Sequence, residues 1–256
     1  MKHAVLIFAC LVLLLSGITA CRKKNNAALA PAKYTGCRIS QITETSPGTN
    51  NNLTYVFTYN NDGTVATIST LPIPKSDVFI KSFTYNSNYV IMTTTDNGLA
   101  YEIDSLVLDG QNRITYIGHY GNNGSQPSNG VWDSYQYDSL GDMVLRTNKN
   151  YNTLSTETFS WKNGDLVWST AGTDYYNYIY GADLYNTGNI TVRPIDFETY
   201  GRAIYTSKHL RTQLVDDYDD TIYYTYILDT GGKLTYVKAT EPGNYIYTTQ
   251  ISYTCE

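Results

Sequence analysis

Residues 53–59 alternate Leu53, Tyr55, Phe57 and Tyr59 with Thr54, Val56 and Thr58, and residues 245–255 alternate Tyr245, Tyr247, Thr249, Ile251, Tyr253 and Cys255 with Ile246, Thr248, Gln250, Ser252 and Thr254. A period of two is the signature of a strand with one packed face and one wet face. Paired aromatic or aliphatic residues two apart recur just before turns: Phe57-x-Tyr59, Phe83-x-Tyr85, Leu106-x-Leu108, Tyr135-x-Tyr137, Phe159-x-Trp161, Tyr178-x-Tyr180, Tyr224-x-Tyr226 and Ile251-x-Tyr253. Their second members are spaced 26, 23, 29, 24, 19, 46 and 27 residues apart. That interval holds two strands and two turns, so the repeating unit is a hairpin. Asn61-Asp62-Gly63, Asp109-Gly110, Asp138-Ser139-Leu140-Gly141, Asn163-Gly164 and Gly231-Gly232 place turn formers between the strands. The pattern predicts an all-β domain, an antiparallel meander of roughly 14–16 strands at the usual strand length, closed as a barrel or held as a strongly curved sheet.

The rhythm breaks near 182–212, where alternation fails, Pro194 interrupts and the 46-residue gap falls. This stretch is expected to be an irregular insert that crosses or caps the sheet, with a helical turn around Ile195 to Tyr200.

The N-terminus has a different character. Met1-Lys2-His3 precedes an apolar run from Ala4 to Leu15, too short to span a bilayer but the right length for an export signal. Ile18-Thr19-Ala20-Cys21 resembles a bacterial lipobox, which implies a signal peptide over 1–20, lipid on Cys21 and a polar tether over 21–32 ahead of one domain at 33–256. Multiple acyl chains on Cys21 would anchor the chain stably, where a single chain binds only marginally. Arg22-Lys23-Lys24 shows neither inner-membrane retention nor surface display, so the expected address is the cell envelope at the outer membrane, with the leaflet left open.

Four cysteines are present. Signal cleavage removes Cys10 and lipid consumes Cys21, leaving Cys37 and Cys255 at opposite ends of the domain. In an exported protein these suggest one disulfide joining the first and last strands, the alternative being two unpaired thiols. The formal charge of −5 and pI near 5.2 provide no basic field for a phosphate backbone, so nucleic acid is not an expected partner.

The lipobox, the Cys-Arg-Ile-Ser-Gln-Ile start at Cys37–Ile42, the Tyr-x-Tyr-Asn/Asp-x-x-Gly turns, Ser207-Lys208-His209-Leu210 and the closing Ile251-Ser252-Tyr253-Thr254-Cys255 together resemble a family of uncharacterised lipoproteins from gut-dwelling Gram-negative bacteria. The resemblance runs from about Lys33 onward. It implies a porin-like, many-stranded β fold and carries no activity and no catalytic residues.

Candidate chemistry is sparse. After signal removal only His119 and His209 remain, neither in a metal-type HxxxH or HExxH spacing, and each is expected as a solvated or hydrogen-bonded loop residue. There is no Gly-x-Ser-x-Gly elbow and no phosphate loop. No metal site, cofactor or catalytic residue is implied. The run Val215-Asp216-Asp217-Tyr218-Asp219-Asp220 reads as a charged hairpin tip; it lacks the Gly and distal Glu of a calcium loop. Three triplets, Asp104-Ser105-Leu106, Asp138-Ser139-Leu140 and Asp220-Thr221-Ile222, resemble acceptors for O-linked glycans and would then be exposed turns.

Two function classes follow. The 26 Tyr and 3 Trp suit a non-catalytic binding module whose partner is a glycan or another envelope protein, because aromatic rings give flat apolar platforms with a polar tip. Trp132, Trp161 and Trp168 are the candidate ligand contacts, although aromatics at period two serve first in cross-strand packing. The alternative is a carboxylate-dependent hydrolase acting on glycans, for which Glu102, Asp104, Asp109, Asp196 and Glu198 supply carboxyl groups.

Overall fold

A computed structural model of the chain describes residues 36–46, 52–72, 78–121, 127–185 and 207–255. These fall in one unit, Tyr34–Glu256. The signal segment, Cys21, the tether, the turn expected at Ile195 to Tyr200, and Asp196 and Glu198 lie outside the described residues.

The strands are β1 (Cys37–Thr45), β2 (Asn52–Tyr59), β3 (Val65–Pro72), β4 (Phe79–Tyr85), β5 (Tyr89–Asp96), β6 (Leu99–Leu108), β7 (Ile114–Tyr120), β8 (Pro127–Tyr137), β9 (Met143–Asn150), β10 (Thr153–Lys162), β11 (Asp165–Ala171), β12 (Asp174–Tyr185), β13 (His209–Val215), β14 (Thr221–Leu228), β15 (Leu234–Glu241) and β16 (Tyr245–Cys255). Each pairs antiparallel with its sequence neighbour, and β1 pairs with β16, so the sixteen-stranded sheet closes on itself as a barrel. Closure leaves no edge strand to template aggregation.

Turns after even-numbered strands gather at one end of the barrel, and turns after odd-numbered strands at the other. Near the first end the inward positions are apolar and buried: Ile39 and Ile42, Phe57, Ile68, Phe83, Met92, Leu106, Ile117, Tyr135, Phe159, Leu166, Leu210, Tyr224, Val237 and Ile251 belong to one packed cluster, joined from β12 by Tyr178. Toward the other end inward positions open to solvent. Tyr245 and Tyr247, on the same face as buried Ile251, are 58% and 37% exposed. The two halves of the barrel therefore differ: one is filled by side chains and the other is open at its wall, a cup rather than the through-channel of porins with a similar strand number.

The predicted aromatic pairs build the filled half by a repeated device. Tyr59, Tyr85, Tyr137 and Tyr253 donate their hydroxyls, and Trp161 its indole N–H, to the backbone carbonyls of Ile39, Val65, Ile114, Leu234 and Met143 at 2.6 to 2.9 Å, and Tyr226 donates likewise to Arg211. Each accepting carbonyl lies just before a register shift, where Ser40, Ala66, Thr115, Leu234's neighbour Thr235, Val144 or Thr212 is skipped by the partner strand. A bulge takes backbone groups out of the ladder and leaves them to be satisfied otherwise; the ring's polar tip does so while its body fills the core. Two strands depart from it. β5 meets β4 in unbroken register at Tyr85–Val90, and the next even strand carries Leu106-x-Leu108, with no hydroxyl to give; β11 is bulged against β10 after Leu166, but the Tyr180 hydroxyl meets Ser207 instead.

The turns repeat as well. In the loops starting at Asp109, Asp138, Asp216 and Asp229, the first carboxylate accepts the amides two and four residues on, and the fourth position takes positive φ as Asn112, Gly141, Asp219 or Gly232. At Asp109-Gly110 the left-handed residue is thus Asn112 and not the glycine. The acidic run at 215–220 forms the β13–β14 tip, where Asp216 holds the turn through the amides of Tyr218 and Asp220. Of the three glycan-acceptor-like triplets, Asp138-Ser139-Leu140 is an exposed turn, whereas Asp104-Ser105-Leu106 lies inside β6 with Asp104 and Leu106 buried.

The expected insert is shorter than its predicted bounds. Residues 182–185 extend β12 and 209–212 open β13, paired at Tyr185 with His209; 186–208 lie between these strands, with 186–206 outside the described residues. The seam is covalently closed: Cys37 and Cys255 are cross-strand partners and form a disulfide that spans 218 residues of sequence.

Candidate functional site

Alternation carries polar side chains onto the inner wall of the open half. Two residues beyond Leu106 toward the mouth comes Asp104, then Glu102; beyond Ile117 comes His119; beyond Tyr135 comes Asp133; beyond Phe159 comes Glu157. Register sets them side by side, with His119 opposite Asp104, and Asn148 opposite Asp133. Arg146 lies opposite both Tyr135 and Glu157. Residues far apart in sequence thus form one band across β6 to β10.

His119 is its centre. Its Nδ1 lies 2.8 Å from Asp104 Oδ1 and its Nε2 lies 3.3 Å from Asp133 Oδ2. Asp133 also accepts from Arg146 Nε at 2.9 Å and Asn148 Nδ2 at 3.1 Å, and the Arg146 guanidinium continues to Glu157 at 3.8 Å. Asp104 and Asp133 are 2% and 3% exposed, so their charges depend on partners such as these. The hydrogen bonds to Asp104 and then Asp133 raise the His119 pKa to about 10, against the opposing effect of burial. For Asp133 burial works the other way, yet the bond from His119, the charge of Arg146 and the amide of Asn148 hold its carboxyl below the ordinary value. Glu102 is pushed up, by burial first and by the neighbouring Asp104 charge second.

Beside this band Arg146, Asn148, Ser155, Thr156, Glu157 and Ala171 line a cleft of about 240 Å³. Its walls carry donors and acceptors of both charge signs, and Ser155 on the inner wall is exposed.

Both histidines depart from expectation: neither is in a loop. His119 sits in β7, and His209 opens β13, donating its backbone N–H to Asp165 Oδ1 at 2.8 Å with its ring Nδ1 2.7 Å from Asp165 Oδ2. With Ser207, whose hydroxyl accepts from the Leu166 amide and meets the Tyr180 hydroxyl, that contact ties the chain to the β10–β11 turn at the filled end.

The three candidate tryptophans are not brought together. Trp161 points inward, packs against the core and spends its N–H on the Met143 carbonyl. Trp132 lies on the outer wall, its ring stacked on Tyr116 at 5.8 Å and 29° across from Gly118. Trp168 is also outward, 41% exposed, between Ser160 and Asn177. Of the carboxylates considered, Glu102 and Asp104 join the inner band and Asp109 holds a turn. His119, Asp133 and Arg146 were missed as a group: His119 and Asp133 each lie two residues from an inward apolar residue of their own strand, while Arg146 comes into line only through the bulge at Val144 that sets it opposite Tyr135.

No protein-family model matches the sequence, and a search of curated proteins returns no match. Among solved structures the chain is similar to a porin-like protein from Bacteroides uniformis, at TM-score 0.64 and 17% identity over 85% of this chain and 98% of that one. A porin-like protein from Bacteroides vulgatus matches at TM-score 0.49 and 11% identity, over 84% and 98%. The first likeness shows a shared porin-like β fold.

Proposed function

We propose that the protein is a non-catalytic binding module of the cell envelope, held at the outer membrane by lipid on Cys21, whose open cup takes a glycan. The observation that carries the reading is the division of the barrel interior: a sealed apolar half, and an open half with a cleft of hydrogen-bonding side chains. Arg146, Asn148, Ser155 and Glu157 offer donors and acceptors in balance, which suits a neutral polyhydroxyl ligand better than an anion or an apolar molecule. At about 240 Å³ the cleft is below the ~300–1,000 Å³ of drug-sized sites, consistent with one sugar ring at a time. The envelope address rests on the lipobox-like Ile18-Thr19-Ala20-Cys21 and on the fold shared with a porin-like Bacteroides protein. The outer wall supports a barrel beside the membrane rather than through it. A spanning barrel needs an apolar outer band, whereas here hydroxyl pairs such as Thr58–Thr67 and Thr158–Thr170 bond across neighbouring strands.

The test is a glycan array and titration calorimetry with the chain and its Arg146→Ala, Glu157→Gln and Trp132→Ala variants. Binding is expected to fall at least tenfold in the first two at unchanged far-UV spectrum, and to persist in Trp132→Ala. Loss confined to Trp132→Ala would move the site to the outer wall, and binding indifferent to all three would overturn the reading.

One observation favours a carboxylate-dependent hydrolase as the second reading: Glu102, with its raised pKa, stands beside ionisable Asp104. Turnover of aryl glycosides that disappears in Glu102→Gln would select it.

A further inference from the structure

We infer that Glu102, Asp104 and Nδ1 of His119 bind one divalent transition-metal ion beside Thr94 of β5, whose hydroxyl would complete the oxygen donors. This goes beyond the glycan reading and does not depend on it. One ligand atom from each of the three lies within 4.8 Å of the others. A four-coordinate ion with ligand bonds of about 2.1 Å sets its ligand atoms about 3.4 Å apart, so modest rotamer adjustment closes the site.

Two further features point to a cation rather than to a chance cluster. Thr94 is cross-strand from Glu102 and shares the inward face of buried Val90 and Met92. It is 5% exposed, and its Oγ1 has no hydrogen-bond partner among the described residues. A buried hydroxyl without a partner calls for one, and an ion held by Glu102 would give its oxygen a partner. The second feature is the orientation of the imidazole. Nε2 is directed at Asp133, itself fixed by Arg146 and Asn148, which is the outer carboxylate that holds a metal-binding histidine in one tautomer. Nδ1 and Asp104 Oδ1 meet at 2.8 Å, and a bound ion would take the place of the imidazole proton that joins them, releasing it to solvent. Lys81, opposite Thr94 on β4, acts on Glu102 through its charge, and that charge would repel a bound cation. The donor set, one imidazole and hard oxygens without sulfur, fits zinc and its neighbours better than copper(I) or a soft ion.

The experiment uses the full chain in mild detergent, stripped with chelator and titrated calorimetrically with Zn²⁺ at one fixed pH. One ion per chain is expected. Glu102→Gln, which leaves a neutral side chain of the same shape where burial already disfavours the charge, should weaken binding about 100-fold. Thr94→Val should weaken it, Lys81→Met should strengthen it, and His209→Gln at the other His–Asp pair should leave it unchanged. X-ray absorption of the zinc-loaded wild-type chain gives a reading free of any folding defect in a variant, and is expected to show nitrogen and oxygen ligands with one imidazole. Absence of stoichiometric zinc, wild-type affinity in Glu102→Gln, loss in His209→Gln, or a sphere with sulfur or two imidazoles would each overturn the assignment. No glycan is present in either measurement, so failure here leaves the glycan reading untouched.

Discussion

Asp109 and Asp229 show how single carboxylates hold this chain's turns. Asp109 Oδ1 accepts the Gln111 and Arg113 amides, both at 2.9 Å, while Oδ2 meets the Arg113 guanidinium at 2.7 Å. Burial resists the charge on Asp109, but the bonds from Arg113 and Gln111 outweigh it and hold the carboxyl below its ordinary value. For Asp229 the backbone bond from Lys233 leads the same effect. A carboxyl depressed in the folded state contributes stability above its unfolded pKa, about 3.9, and loses that contribution as pH falls through the folded value. Urea midpoints should therefore decline from pH 4 to pH 2. In Asp109→Asn/Asp229→Asn, where the amide oxygen keeps the turn but cannot titrate, the decline should be shallower; an equal slope would show that the turns do not contribute to the acid response.

At the scale of the strand, the bulge and the aromatic tip act as one unit. Tyr137→Phe removes the donor to the Ile114 carbonyl while keeping the packed ring, so denaturant unfolding should register a loss of about 1–2 kcal/mol. Leu108→Tyr should give no matching gain, because the unbulged β5 has no freed carbonyl to accept the hydroxyl. The same coupling explains why tyrosine is so abundant here: it supplies both a core body and a bond to backbone that the bulges expose.

For the whole molecule, closure depends on pairing the first strand with the last, and the disulfide fixes that pairing. Cys37→Ser/Cys255→Ser should lower stability by about 2–5 kcal/mol, by entropic constraint of a 218-residue loop, and should slow folding, since β1–β16 contacts must then form across the full chain. The interior division makes a second claim at this scale. With the apolar cluster drawn from all round the wall, the chain added to planar bilayers should give no stable conductance, and sustained porin-like currents would contradict a cup.

Alternation and turn chemistry in the sequence determined the all-β class, the hairpin repeat, the strand number within its range and the seam cysteines, because each depends on residues within one or two strands or, for the cysteines, on position at the two termini of the domain. The inner band was only half legible. Asp104 and Glu102 could be named as carboxylates, but their meeting with His119, Asp133 and Arg146 depends on the register of five strands, which bulges shift by one residue at a time. The same limit applied to the insert, where Tyr185 and His209 are brought into the sheet by pairing with each other across it. Sequence fixes which residues can face one wall; only closure of the barrel decides which of them face one another.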